Sequence, residues 1–187
     1  MRCLFGYWLI NPYAICPRYL VNFSENEVQK IYGETYFSTF EAIAVALKLN
    51  EHDVIYDLGC GRGRGVFWLN AFYHCRAIGV ELNPVFVRKA LKIKNKLKIE
   101  NVEFVQANMM DVDFSNATVL YLYGTALSDA AIENFIVNLK RAKQGTKIVT
   151  VSYPLHHYAK AGEFEMIEQF QGQFLWGDTM IYIQRKL

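Results

Sequence analysis

The chain has 187 residues, 52% hydrophobic and 20% charged, which excludes a disordered polymer and allows one complete core. Its formal net charge of +2 excludes a bulk electrostatic claim on nucleic acid, so nucleic acid is not expected as a partner. Four cysteines stand apart at Cys3, Cys16, Cys60 and Cys75, without a C-x-x-C pair, so no metal site or redox motif is expected and a reduced, cytoplasmic setting fits.

The opening "MRCLFGYWLINPYAIC" carries an apolar run from Cys3 to Ile10. That is far short of the ~20 residues a transmembrane helix needs, and no small-residue cleavage site follows it. It reads as an aromatic arm packed on the domain, with a membrane-surface or substrate-gripping arm as the alternative. "SENE" offers a capping box from Ser24 to Glu27, which predicts a short helix there. After "YGETYFST", Phe40, Ile43, Ala44 and Leu47 recur at helical spacing and predict an amphipathic helix.

"VIYDL" (Val54 to Leu58) and "AIGVEL" (Ala77 to Leu82) read as buried strands around a buried helix, "VFWLNAFY". Asn83-Pro84 opens a helix with Phe86, Ala90, Ile93 and Leu97 on one stripe and Arg88, Lys89, Lys92 and Lys96 on another. The basic stripe reads as a solvated face. "VEFVQA" and "TVLYLY" are the third and fourth strands. Ser128 caps a helix that buries Ile132, Phe135, Ile136 and Leu139, and Gly145 is expected to end it. "KIVTVSY" is the fifth strand. "FEMIEQFQ" and "TMIYIQRKL" form an antiparallel pair at the sheet edge, with Trp176 expected to anchor their turn. His156-His157 reads as a loop pair, since no acids or cysteines stand at ligand spacing.

Strands alternating with helices predict an α/β, Rossmann-like, doubly wound sheet, mostly parallel, with a C-terminal antiparallel hairpin. Such sheets bind ligands outside the carboxyl ends of their strands. That directs attention to 57–65, 81–83, 107–109 and 122–125.

The first of these, "DLGCGRGRG", is a glycine loop behind a strand. A phosphate-binding P-loop needs Lys-Ser/Thr after the last glycine, and none follows. The dinucleotide spacing G-x-G-x-x-G fails from every start: Arg64, Val66 or Trp68 occupies the last position. Asp57 ahead of the loop would repel a pyrophosphate and attract an ammonium. Glu81, at the end of the second strand, could accept both hydroxyls of a ribose.

"VIYDLGCGRGRG" followed by "GVELNP" resembles the class I, seven-strand methyltransferases that use S-adenosylmethionine, over about Tyr32 to Tyr153. The resemblance implies that Glu81, with Leu82 beside it, holds the ribose. It implies that Gly59, Cys60, Gly61 and Gly63 wall the methionine part, with Cys60 as a small filler. Asp57 would serve the amino end, and Asn108 and Met109 would flank the adenine. Residues 1–37 become an N-terminal arm and cofactor-covering loop, and 38–187 the methyltransferase domain.

"YGET" resembles the covering loop of lysine methyltransferases of the disruptor-of-telomeric-silencing type, which implies cofactor contacts from Glu34 and Thr35. "ELNP" is similar to enzymes of the ATP-synthase c-subunit type. Protein lysine is therefore the expected acceptor, with a small-molecule acceptor or a non-catalytic binding module as alternatives. "LYGTALSD" departs from the Asn-rich segment of the histone enzymes, and no Asp/Asn-Pro-Pro-aromatic signature occurs. Tyr123 and Thr125 lie nearest the expected transfer site. Arg62 and Arg64 are left as loop braces or substrate contacts.

Overall fold

A computed structural model describes residues 33–187. The aromatic arm, the capping box at Ser24, Cys3, Cys16 and Tyr32 lie outside the described residues. The elements are α1 (Phe37–Leu47), β1 (Val54–Leu58), α2 (Arg64–Tyr73), β2 (Arg76–Glu81), α3 (Pro84–Leu97), β3 (Val102–Gln106), β4 (Val119–Leu122), α4 (Asp129–Asn138), β5 (Lys147–Val151), β6 (Phe164–Phe174) and β7 (Gly177–Lys186).

The strands form a seven-stranded sheet in the order β3-β2-β1-β4-β5-β7-β6. The first five are parallel, and β7 inserts antiparallel between β5 and β6. Order reverses between β1 and β4, so the crevice beyond their carboxyl ends is where a ligand fits.

Period-two alternation explains the two cores. Ile55, Val119, Tyr121, Val149, Ile181 and Ile183 face Phe40, Ile43, Leu47 and Val66 of α1 and α2. Tyr56, Leu58, Ile78, Leu120, Leu122 and Ile148 face Ile132, Phe135 and Ile136 of α4. Both faces are apolar because parallel strands are covered on both sides. The expected face of α1 is buried as a unit, and Phe40, Ile43 and Leu47 each stabilise the fold by roughly 1.5–3 kcal/mol.

Helix starts follow local chemistry. Asn83 accepts from the Val85 N–H at 2.9 Å, and Pro84 opens α3. Ser128 accepts from the Ala131 N–H at 3.3 Å. One expectation needs correction. Gly145 does not end α4: the helix stops at Asn138 and a 3-10 turn covers Leu139–Arg141. Gly145 instead sits at φ 87° in the next turn, where the Thr146 N–H bonds the Lys143 carbonyl at 3.2 Å. Trp176 does hold the turn of the last hairpin, by stacking on Phe174 with ring centroids 5.7 Å apart while staying 52% exposed. Strands β2 to β5 also differ by one or two residues from their expected bounds.

Candidate active site

The loop after β1 is pinned by backbone. The Gly59 and Cys60 N–H groups both bond the Val80 carbonyl, at 2.8 and 3.0 Å, so the loop folds back onto the end of β2. There it meets Glu81, which accepts from the Gly61 N–H at 2.8 Å and the Asn83 N–H at 2.7 Å. One carboxylate thus holds the two turns that leave β1 and β2.

Gly63 caps α2 at φ 77°, and a Cβ there would lie 2.5 Å from the Phe104 ring. Its glycine is required by conformation and close packing together. Cys60 packs its sulfur over Gly79, and burial pushes its thiol well up, which suits a filler rather than a nucleophile.

A cavity of about 460 Å³ opens where these turns converge. Its wall draws on all four strand ends and on 33–35 ahead of α1. Of the sequence-selected residues, Glu34, Thr35, Asp57, Gly59, Cys60, Gly61, Glu81, Leu82, Met109, Tyr123 and Thr125 lie in the wall.

Two sequence-selected residues are not in it. Gly63 is taken up by the helix start and Phe104. Asn108 is exposed, and its side-chain oxygen accepts from the Met110 N–H at 3.1 Å, capping a 3-10 turn (Met109–Asp111). It stands at the rim as a turn former, while Met109 supplies the apolar wall.

Electrostatics mark the floor. Burial, then the neighbouring Glu81, pushes Asp57 up to about 7. Burial also raises Glu81, opposed by its bonds from the Asn83 and Gly61 N–H groups. Arg62 and Arg64 line the cavity beside Glu34 and Thr35. Both converge on Glu34: Arg62 Nη2 donates to its Oε2 at 2.7 Å, and Arg64 Nη1 donates to the same oxygen. The two arginines brace the segment around Glu34 to the glycine loop.

Tyr121 was not singled out by sequence. Its phenol is fully buried, exchanges a 2.6 Å hydrogen bond with Thr35, and is pushed well up by burial. "TVLYLY" carries no phase that tells a cavity-facing tyrosine from a core one. The need of a buried phenol for a partner was the available signal. His156 and His157 are exposed on a 3-10 turn, with rings 4.6 Å apart. Among the described residues no cluster suits a metal, and no helix is long and apolar enough to cross a membrane.

The donor set fits S-adenosylmethionine: a buried carboxylate at Asp57 and a half-buried one at Glu81 suit an ammonium and ribose hydroxyls, and the bare loop admits close backbone approach. Comparisons agree. A protein-lysine N-methyltransferase of Saccharolobus islandicus is 29% identical over 110 residues, 58% of this chain and 67% of that protein. A histone-lysine N-methyltransferase, H3 lysine-79 specific, of Dictyostelium discoideum is 27% identical over 66% of this chain, which spans only 8% of that protein. An RNA methyltransferase from Salinibacter ruber, solved with S-adenosyl-L-homocysteine, superposes with a TM-score of 0.65 at 26% identity, over 82% of this chain and 93% of that one. The ANTKMT methyltransferase domain matches residues 57–161, more than half of the chain, from the Asp57 loop to beyond β5. The chain belongs to that family, and it is a class I S-adenosylmethionine-dependent methyltransferase.

Proposed function

We propose that the acceptor is the side-chain amine of a protein lysine. The carrying observation is the wall at the end of β4 and its turn. It runs Tyr121, Leu122, Tyr123, Gly124, Thr125, Ala126 and Leu127, all neutral. An amine attacks only when unprotonated, and a desolvating, uncharged wall lowers the affinity of an amine for its proton. The lysine specificity in the name of the Saccharolobus relative weighs the same way.

Bound S-adenosylmethionine supplies a sulfonium-activated methyl group. Glu81 would hold the ribose hydroxyls and Asp57 the amino end. Leu82 and Met109 would pack the adenine, with Asn108 at the rim. Gly59 to Gly61 would back the methionine part, and Glu34 and Thr35 would close over it. Tyr123 and Thr125 would orient the incoming amine, and the apolar mouth would exclude water. We further divide the chain into a covering arm (1–37), which could touch a membrane surface, and a methyltransferase domain (38–187). The free thiols Cys60 and Cys75 support a cytoplasmic setting.

The test is incubation of the purified protein with methyl-labelled S-adenosylmethionine and a cell extract. Label is expected in protein, released on hydrolysis as methyl-lysine. Label confined to nucleic acid or small molecules overturns the acceptor.

A further inference from the structure

We propose that Trp176, on the turn between β6 and β7, is a positioning residue for methyl transfer, acting through Tyr123. The proposal rests on the reading of the cavity as the transfer site.

Tyr123 extends from the end of β4 into the cavity wall and is half-buried. Three residues from two segments hold its phenol. The indole N–H of Trp176 donates to its hydroxyl oxygen. Phe174 packs edge-on against its ring, with centroids 5.4 Å apart at 73°. Gly33 lies against the hydroxyl so closely that a Cβ there would collide with it. The hairpin turn is itself fixed near the covering segment, because Thr35 forms an isolated antiparallel bridge with Phe174.

Trp176 gains little from burial at 52% exposure. It stacks on Phe174 at 5.7 Å and 15°, which aims its N–H at Tyr123. A phenol oxygen that accepts one bond keeps a second lone pair and its own proton. The indole therefore fixes the direction of the group that faces an incoming acceptor. An exposed turn 53 residues away in sequence sets the geometry of the wall.

The experiment compares wild type, Trp176→Phe, Tyr123→Phe and the double variant. Phenylalanine keeps the stack on Phe174 and removes the donor. Three quantities are read: the melting temperature, the Kd for S-adenosyl-L-homocysteine by calorimetry, and the rate of label transfer from saturating S-adenosylmethionine to the summed acceptors of a cell extract. The expected result for Trp176→Phe is a transfer rate lowered by roughly 5–20-fold, with Kd and melting within error of wild type. In the Tyr123→Phe background the same change should cost nothing further.

An unchanged rate, losses that multiply, or a parallel loss of homocysteine-product binding overturns the positioning role. A wild-type protein that binds no S-adenosyl-L-homocysteine overturns the site itself. Label found outside protein, with the two-residue coupling intact, overturns only the lysine reading and supports the role of Trp176.

Discussion

Asp57 and Glu81 are two carboxylates in one cavity, and their surroundings treat them differently. Glu81 receives two backbone N–H groups that favour its charged form. Asp57 is 6% exposed and is pushed from 3.8 up to about 7. A raised acid binds its proton more tightly in the folded state than in the unfolded chain. Its stabilising contribution is full below about pH 4 and is lost as pH climbs to about 7, by at most about 4 kcal/mol. Asp57→Asn should therefore raise the melting temperature at pH 8 and leave it nearly unchanged at pH 4. A cofactor ammonium held beside Asp57 would reverse the preference, since it would favour the ionised carboxylate. Affinity for S-adenosyl-L-homocysteine should rise with pH through about 7 in wild type and be flat in the variant. A pH series by calorimetry that shows equal slopes in both would remove Asp57 from the amino-end site. Glu81→Ala should weaken binding by on the order of 1.5–3 kcal/mol, the range for bonds to charged groups. Unchanged affinity would end the ribose assignment. Both acids were legible in sequence because carboxylates at strand ends are chemically costly unless used. Asn108 was legible as a residue but not in its engagement, because its Asx turn depends on the backbone of Met110.

At the scale of elements, the covering segment 33–36 is the least local part of the site. Glu34 finds its arginines 28 and 30 residues ahead. No periodicity links such positions, so sequence singled out "YGET" but did not pair it with the arginines. The pairing is partly shielded: the side-chain exposures are 12% for Glu34, 16% for Arg62 and 25% for Arg64. Removing one member of a shielded cluster leaves the others poorly compensated. Glu34→Gln keeps the shape and removes the charge. It should loosen the segment and speed release of S-adenosyl-L-homocysteine several-fold in stopped-flow experiments. A fall in melting temperature with unchanged release would make the segment a structural brace alone. Trp176 illustrates the same limit. It was expected to anchor its own turn, and only the fold shows that the turn reaches Tyr123 at the end of β4.

Across the whole molecule the sheet divides its labour. Strands β1 to β4 end in the turns that wall the cavity, whereas β5, β7 and β6 extend the sheet beyond it. The alternation of strands and helices made the parallel part legible, and the paired apolar runs made the hairpin legible. The insertion of β7 between β5 and β6 was not, because strand order is set by packing between distant segments. The buttress carries its own polar lock. Gln184 of β7 is fully buried, donates to Thr150 Oγ1 at 3.4 Å and accepts from the His156 N–H at 3.3 Å. Gln184→Ala opens a void and strands these partners, at a cost of about 2–4 kcal/mol. For a chain of this size that lowers the melting temperature by roughly 5–15 °C. Because β5 separates β7 from β4, the Kd for S-adenosyl-L-homocysteine should stay within about twofold, as for distant independent sites. Calorimetry on the folded variant is the check. A loss of affinity in step with the loss of stability would show that the edge hairpin shapes the cavity throughout its length and not only through the turn at Trp176.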